Sequence, residues 1–486
     1  MTRQESGGEL RMPAIAPADA RSRAPVATLR RLLEEECFIL LAVSLTLTAV
    51  AIAAPISMIV PDTWLALVDG RWIAQHGLPH VDQLALWSHG VHWVDQQWLG
   101  QLSFYEIARL GGIKACIGVA LALDALALGV AAFAARRLHA STASVALGAL
   151  IPIVVGPWLL QARTQSLALP LFVGVYALVV ADARRPTRRV YLAIPLLILW
   201  ANVHGSASLG ALLLFIHGVL ELVRGRARGA LIALAAPAAL LASPYGLDLP
   251  GYYHTMLISS PLRHYVQEWG PTKLDTGTAP FYALALLSLY LLGRRGGMVS
   301  LFERLTLPLL GVLGLLAARN TIWLGLACAV SLPTLVDGVL GPPLSLTPGM
   351  RRLNLVLSVG ALGLATVVAA AMLSRPASVL LQRFPAEGAA AVAAAAGPSG
   401  HVLADDSHSD WLLWEQPQLA GRIAYDVRFE LLTSGQLARL QAFRSGSRPG
   451  LATPYRVLTF PGAGDRQALA PGRHTVYQGS AFVVAR

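Results

Sequence analysis

A polar stretch follows the first long apolar segment of the chain. It reads PDTWLALVDGRWIAQHGLPHVD, from Pro61 to Asp82, directly after CFILLAVSLTLTAVAIAAPISMIV. A carboxylate that is partly desolvated at a water–membrane boundary binds a proton more readily than one in water, which suits Asp62 to the role of a general base. The same position also fits a helix N-cap, so spacing alone leaves both interpretations open.

Two arginines stand beside side-chain amides at the edges of apolar segments. Arg163 lies between Gln161 and Gln165, and Arg319 precedes Asn320. A planar guanidinium binds phosphate through two parallel hydrogen bonds, which predicts an anion site at these arginines. The alternative is that both side chains only reach from the membrane edge towards water.

Several other polar residues can hydrogen-bond a hydroxylated ligand. Asn202 and His204 close one apolar segment, and Glu268 precedes Trp269, so a carboxylate and a stacking ring are adjacent. A histidine bonded to a backbone carbonyl and a solvated loop acid are the structural alternatives for His204 and Glu268. Further candidate binding residues are His76, Gln161, Tyr245 and Asn320.

Metal and nucleotide chemistry have little support in the sequence. The stretch ADDSHSD, from Ala404 to Asp410, can hold a divalent cation, although acids in a strand-to-helix turn also cap helices. The chain contains neither G-x-x-x-x-G-K-[ST] nor H-E-x-x-H. Its three cysteines fall in or beside apolar segments, which argues against a disulfide framework and a thiolate zinc site. We therefore assign no metal ligand and no certain cofactor.

Composition places these residues in a membrane protein. The 486 residues are 55% hydrophobic and 13% charged, and the mean hydropathy is +0.57. Such a chain cannot hide its apolar surface from water as a soluble globule. The net charge of +11 lies in short basic groups beside apolar segments, which is typical of membrane loops and not of a nucleic-acid-binding surface.

Apolar segments of sufficient length predict eleven transmembrane helices, a few of them slightly short. The expected spans are 37–60, 113–135, 143–160, 164–182, 190–203, 206–223, 228–243, 277–293, 301–318, 320–338 and 353–373. Arginine pairs such as Arg136–Arg137 and Arg294–Arg295 recur at alternate turns. The positive-inside rule then predicts a cytoplasmic amino terminus and an extracytoplasmic carboxyl terminus.

The chain divides into three parts. Residues 1–36 are rich in Arg, Ala and Pro and predict a disordered cytoplasmic tail. Residues 37–373 form the membrane domain. Residues 374–486 alternate strand-like runs with helix-like runs, which predicts a small extracytoplasmic α/β domain.

The first outer loop, residues 61–112, contains two helical patterns. Apolar residues at mixed spacings of three and four predict two amphipathic helices on the membrane surface, the first ending at Gly77 and the second at Gly111–Gly112. Trp64 and Trp72 are expected to anchor the first helix in the interface. All five outer turns carry polar groups, which are costly at membrane depth unless they line a wet cavity. A single external cavity is the expected result.

The pattern D-T-W-L-A-L-x-x-G-x-W-I-x-x-H-G-x-P-x-x-D, continued by W-V-x-Q-Q-W-L, resembles the first extracytoplasmic loop of bacterial membrane glycosyltransferases of the C superfamily. The later segments QARTQSLALPLF, WANVHGSASLG, SPYGL, QEWGP and AARNTIW are similar to recurrent stretches of that group. The resemblance implies an all-α polytopic fold in the bacterial cytoplasmic membrane, followed by an external domain.

The resemblance also implies a reaction, the inverting transfer of a hexose or pentose. The donor is a polyprenyl-phosphate-linked sugar, the acceptor is a glycan, lipid or protein on the outer face, and Asp62 has the role of the base. Adjacent paired acids occur in several members, whereas Thr63 follows Asp62 here. This departure weakens a metal clamp and leaves Asp69 and Asp82 as candidate second acids. A transporter or flippase of lipid-linked sugars and a non-catalytic envelope scaffold remain the alternatives.

Overall fold

The computed structural model describes residues 18–258, 262–341, 347–447, 449–470 and 472–486. The helices in these ranges are α1 Ala18–Glu35, α2 Cys37–Ser57, α3 Pro61–His76, α4 Trp98–Arg137, α5 Thr142–Val155, α6 Thr164–Arg184, α7 Ala193–Val203, α8 Ala207–Val223, α9 Arg228–Leu240, α10 Leu249–Leu257, α11 Leu262–Tyr265, α12 Ala279–Arg295, α13 Leu301–Leu316, α14 Thr321–Leu340, α15 Pro348–Ser374, α16 Ala377–Leu380, α17 Ala386–Ala396, α18 Ser409–Glu415, α19 Ser434–Arg444 and α20 Ala463–Leu469. The strands are β1 Val402–Leu403, β2 Val457–Phe460, β3 Thr475–Gln478 and β4 Val483–Ala485.

Each expected membrane span coincides with one of these helices. Within the described ranges, five helices are long and apolar enough to cross a membrane by length and composition: Cys37–Pro55, Trp98–Arg137, Thr164–Arg184, Ala318–Leu340 and Pro348–Ser374. The other expected spans are shorter helices, such as α5 and α7, packed among the long ones. The chain is a multi-pass helical membrane protein.

The two helices of the first loop begin and end near the predicted positions. Helix α3 ends at Gly77, whose φ of 82° lies in the left-handed region that glycine tolerates. Gly112, with a φ of 67°, breaks the long helix α4 into a loop part and a spanning part. The two loop helices pack against each other. After Gly112, the second helix continues as a spanning helix of the membrane bundle.

The predicted surface role of α3 needs a correction. Trp64 is only 1% exposed, and its ring meets the ring of Phe384 edge-on at 5.1 Å. Helix α3 packs against α4 on one side and against α18 of the C-terminal domain on another. The apolar face that the pattern places in the membrane interface is thus covered by protein, because the C-terminal domain lies over it.

The C-terminal domain is built on a small mixed sheet with strand order β1-β2-β4-β3. Strands β1 and β2 are parallel, and β4 is antiparallel to both β2 and β3. Ile423 pairs in parallel with Val402 on the outer side of β1, and Ala85 pairs in parallel with Ile423. The first loop therefore contributes an edge segment, residues 84–87, to the sheet of the C-terminal domain. The alternation of strands and helices confirms the predicted α/β pattern.

The end of the helix bundle under this sheet is called the covered end. The turns that the sequence predicts to be the outer ones lie at this end. Their contacts include a hydrogen bond from the amide of Ala162 to the carbonyl of Met58. At the opposite end, buried acids pair with arginines from neighbouring helices. Asp182 and Glu221 are fully buried, and both accept from Arg228. Ion pairs therefore hold neighbouring helix ends together at the opposite end.

The amino-terminal tail also differs from its prediction. Residues Ala18–Glu35 form helix α1, which packs against α15. Asn354 of α15 donates to the carbonyl of Glu34, and Ser358 donates to that of Leu33. The contacts with α15 stabilise helix α1, which the composition of residues 1–36 does not predict. Residues 1–17 lie outside the described ranges.

Candidate active site

Asp62 lies in the first turn of α3, after Pro61. Val60 is the N-cap residue, so the interpretation of Asp62 as the cap is wrong. Carboxylates in the first turn still interact favourably with the positive end of the helix dipole. The Asp62 side chain is 45% exposed, so it is available to a ligand from solvent.

Thr63 fixes the start of α3 against the turn that precedes α6. Its hydroxyl donates to the carbonyl oxygen of Ala162 at 2.7 Å, and its oxygen accepts from the amide of Val60 at 3.1 Å. Thr63 is fully buried. Because Asp62 precedes Thr63 and Arg163 follows Ala162, this bond brings the two charged residues together.

Arg163 is the centre of the resulting charge cluster. Its Nη1 lies 3.5 Å from Oδ2 of Asp62 and 3.9 Å from Oε2 of Glu268, and its Nη2 donates to Oε1 of Gln165 at 2.5 Å. Only 6% of the arginine side chain is exposed, against 31% for that of Glu268. The cluster therefore contains one shielded cation facing two accessible carboxylates.

Arg319 continues the cluster. Its guanidinium lies 4.1 Å from the ring centre of Trp269, the residue after Glu268, in a cation–π contact. Asn320 donates to the carbonyl of Leu313 and so fastens the end of α13. The predicted phosphate-binding arginines thus both contact the segment 267–269, although they are far apart in sequence.

His204 lies close to both arginines. Burial lowers the pKa of its imidazole well below the usual value, and the positive charges of Arg319 and Arg163 add to this effect. The amide of Ser206 donates to Nδ1 at 3.2 Å, which makes Nδ1 an acceptor and leaves the proton on Nε2. His204 is therefore a neutral hydrogen-bond donor near the two arginines.

Four other predicted binding residues serve the framework or lie apart. Asn202 accepts from Trp98 Nε1 at 2.9 Å and donates to the carbonyls of Ile198 and Ala242. Tyr245 donates to the carbonyl of Pro79 at 2.8 Å, and the carbonyl of Gln161 accepts from Ser166. His76 stacks on Trp72 at the far end of α3, roughly 21 Å from Asp62 at 1.5 Å per residue. Asn202 and Tyr245 hold turns in place.

The two candidate second acids contact a different arginine. Arg428 of the C-terminal domain donates to Asp82 at 2.8 Å, and its Nη1 lies 3.9 Å from Asp69. It also pairs with Asp426. Burial raises the pKa of Asp69 well above its usual value despite the nearby Arg428. In Asp82, Arg428 and hydrogen bonds from Ser88 and Leu84 outweigh burial, and the pKa is lowered.

This buried network joins the first loop to the C-terminal domain. The sequence analysis did not identify Arg428, because nothing local marks a basic residue that pairs with acids about 350 positions earlier. The only available signal was the excess of acids in the first loop, which requires a counter-charge if the acids are buried.

Metal ligation is not favoured by the described residues. Among them, no group of three or more His, Cys, Asp or Glu side chains is arranged to hold a metal ion. In the stretch ADDSHSD, Asp405 accepts from Thr459 and His408, and Asp406 accepts from Tyr425 and Arg444. Both acids thus bind groups of the protein itself. The divalent cation that the sequence allowed at ADDSHSD therefore has no evident set of ligands there.

An open groove of about 540 Å³ runs along the covered end beside this site. Its lining is mostly apolar, with Trp98, Leu99, Ile198 and Leu199 along the walls and Asn202 among the polar groups. Asn202, which lines the groove, lies two residues before His204 in the chain.

Comparison with known proteins gives likenesses of structure only. No family model matches the sequence, and no curated protein matches it. The chain is similar to ArnT from Cupriavidus metallidurans in the apo state, at 13% identity, with a TM-score of 0.49 and coverage of 92% of this chain and 97% of that chain. The same protein bound to undecaprenyl phosphate gives 14% identity, a TM-score of 0.48 and the same coverage.

The apo oligosaccharyltransferase of Archaeoglobus fulgidus gives 11% identity and a TM-score of 0.46, covering 89% of this chain and 71% of that chain. Identities and scores at this level assign neither reaction nor substrate. The helices and sheet of the chain itself show a multi-pass membrane protein with an α/β domain over one end.

Proposed function

We propose that the protein transfers a sugar from a polyprenyl-phosphate-linked donor to a hydroxyl of a cell-envelope acceptor on the outer face of the membrane. The observation that carries the proposal is the contact of Arg163 with Asp62 and Glu268, where three separate turns of the covered end meet. A transfer of this kind needs a cation for the leaving phosphate and a carboxylate for the acceptor proton. Both groups are present in this cluster.

Arg163 and Arg319 are assigned to the phosphate of the donor. Without a donor, the carboxylates of Asp62 and Glu268 neutralise Arg163. A phosphate oxygen can replace them, because the guanidinium binds phosphate with the same planar geometry as carboxylate. Binding of the donor then releases Asp62 from its ion pair and supplies a free base at the moment when it is needed.

Asp62 is assigned as the general base. In one displacement, the acceptor oxygen forms a bond to the anomeric carbon, the bond from that carbon to the phosphate oxygen breaks, and the configuration inverts. The acceptor proton passes to Asp62, and the leaving polyprenyl phosphate keeps the electron pair of the broken bond. Neutral His204 and the two arginines stabilise the negative charge that develops on the phosphate. No step passes through a metal ion.

The groove beside the cluster supports a lipid donor. Its apolar walls at Leu99, Ile198 and Leu199 can hold an isoprenoid chain. The proposal places the phosphate of that lipid at His204 and the two arginines. The opposite end holds ion pairs such as Arg184–Glu303. The acids of these pairs are buried, whereas Asp62 and Glu268 at the covered end are partly exposed, which supports binding of the proposed ligand at the covered end.

The proposal is tested in a strain that lacks the gene. We expect a polyprenyl-phosphate-linked sugar to accumulate in its membranes, and the parental protein to remove it on expression. Asp62→Asn keeps the shape of the side chain but accepts no proton, so turnover should fall about a hundredfold or more. Glu106→Gln, which changes another exposed acid beyond this cluster, is the matched control. An unchanged lipid profile in the deletion strain, or full activity of Asp62→Asn, would overturn the proposal.

A further inference from the structure

A second cavity lies in the C-terminal domain, and none of its lining residues belongs to the Asp62 cluster. It encloses about 250 Å³ and is lined by residues that follow three parallel segments of the sheet. Asp405 follows β1, Pro461 follows β2, and Tyr425 follows the segment that pairs with β1 through Ile423. In α/β sheets, ligands bind in the crevice outside the carboxyl ends of parallel strands. The position of the cavity is therefore that of a ligand site.

Three aromatic rings make the apolar wall of this cavity. Tyr425, Phe443 and Phe460 all line it and are almost fully buried. Flat rings of this kind bury large apolar area at low cost in conformational freedom. They suit a ligand with an apolar face, such as the C–H face of a pyranose.

Two adjacent carboxylates provide fixed acceptors on the same cavity. Asp405 accepts from Thr459 Oγ1 at 2.8 Å and from the amide of Ser407 at 3.1 Å. Oδ1 of Asp406 accepts from the hydroxyl of Tyr425 at 2.8 Å and also pairs with Arg444. Within the described residues, Oδ2 of Asp406 has no hydrogen-bond donor. Acceptors that are already held in place lose little freedom when a ligand hydroxyl binds.

The charge of the lining restricts the ligand. Asp405, Asp406 and Asp465 face the cavity with Arg444 as the only basic residue of its lining, so negative charge is in excess. Phosphorylated or carboxylated ligands are therefore disfavoured. The volume is smaller than that of pockets for drug-sized ligands, about 300 to 1,000 Å³, which suits one ring and not an extended chain.

We propose that this cavity binds one hydroxylated sugar ring that carries no negative charge. A ring hydroxyl donates to Oδ2 of Asp406, Arg444 donates to a ring or hydroxyl oxygen, and the aromatic wall takes the C–H face. The site is separate from the Asp62 cluster and does not depend on sugar transfer there. It gives the C-terminal domain a role in holding a glycan at the membrane surface.

Saturation-transfer NMR on the purified full-length protein in detergent tests the proposal. The probes are the methyl glycosides of a neutral hexose and of an amino sugar, a hexose phosphate, and a short lysine-containing peptide. We expect a signal from at least one of the two methyl glycosides and none from the phosphate or the peptide. Asp406→Asn should weaken binding about tenfold or more, because hydrogen bonds to a charged acceptor are stronger than those to a neutral amide. Glu387→Gln, an exposed acid on α17 of the same domain, should bind as the parent does.

A second variant keeps the test independent of folding. Ser407→Cys is purified in folded form and then blocked with a bulky maleimide, which should abolish binding only after labelling, because Ser407 lines the cavity. Asp62→Asn should bind the glycoside normally, so a failed transfer assay leaves this result intact. The proposal is overturned if no glycoside binds, if the peptide or the phosphate binds instead, or if both the Asp406 variant and the blocked protein bind like the parent.

Discussion

The hydroxyl of Thr63 donates a 2.7 Å hydrogen bond to the carbonyl of Ala162. These two residues are the chain neighbours of Asp62 and Arg163, so a single buried bond sets the spacing of the charged pair. The amide of Ala162 in turn donates to the carbonyl of Met58 at 2.9 Å, at the end of α2. The start of α3 and the turn before α6 are therefore held as one unit.

Removing this hydroxyl should misplace Asp62 without changing any charge. Thr63→Val keeps the shape of the side chain but leaves the carbonyl of Ala162 buried without its donor, which costs about 1 to 3 kcal/mol. We expect turnover to fall at least about tenfold while the KM for the donor changes little. Thr63→Ser restores the hydroxyl and should recover most of the activity. Equal turnover of the Val and Ser variants, measured at equal yields of folded protein, would contradict a positioning role.

The two arginines of the cluster should not tolerate lysine. Arg163→Lys and Arg319→Lys keep the charge but lose the planar fork, so binding of a polyprenyl-phosphate donor should weaken by about tenfold or more. Arg319→Lys also loses part of the stacking on Trp269. Donor affinity is measured by titration of the purified variants, with the exposed Arg109→Lys as control. If both variants bind like the parent, these residues do not contact the phosphate.

The buried acids of the first loop should make stability depend on pH. Burial raises the pKa of Asp95 to about 7, so between about pH 4 and 7 the folded protein holds a proton that the unfolded chain has lost. The stabilisation is complete below the unfolded pKa and declines as the pH rises towards 7, by about 1.4 kcal/mol per pH unit for one proton. The lowered pKa of Asp82 acts in the opposite sense, and only at lower pH.

Asp95→Asn isolates this effect. The variant cannot titrate at that position, so its melting temperature should fall less between pH 4 and 7 than that of the parent. Asp248→Asn replaces an exposed acid and should follow the parental curve. Parallel curves for Asp95→Asn and the parent would show that Asp95 does not hold the proton.

The orientation in the membrane is a further prediction. The distribution of arginines places the amino terminus in the cytoplasm and the C-terminal domain outside. In intact cells, a membrane-impermeant thiol reagent should label Ser407→Cys and leave Ser22→Cys unlabelled until the membrane is broken. Labelling of Ser22→Cys alone would show that the orientation is the opposite of the predicted one. Labelling of both variants would also contradict the predicted orientation.

Local patterns predicted the elements of the fold well. Apolar length located the helices of the expected spans, and the alternation of strand-like and helix-like runs in residues 374–486 corresponds to the small sheet and its helices. The convergence of Asp62 with Arg163 and Glu268 followed from the expectation that turns at one end of a bundle share a cavity. These features depend on the periodicity of apolar residues and on the end of the bundle at which each turn lies. Both can be inferred from the local sequence.

Contacts between distant segments could not be predicted in this way. The acids Asp69 and Asp82 appeared as candidate catalytic groups, but their partner is Arg428 in the C-terminal domain. Trp64 appeared as a membrane anchor because its helix is apolar, and the structure buries it against Phe384. In each case, a segment more than 300 positions away decides what the residue contacts, and no local pattern encodes that choice.

The edge segment at residues 84–87 has a consequence for how the protein can be divided. Leu86 and Trp87 donate to the carbonyls of Ile423 and Ala424, so the C-terminal sheet is completed by chain from the first loop. A truncation after residue 374 would leave those donors as an exposed, unsatisfied strand edge, and an excised C-terminal domain would lack the matching strand. The two parts form one folding unit that is interrupted in sequence by the membrane helices, and residues 423–424 must pair with a loop that was synthesised long before them.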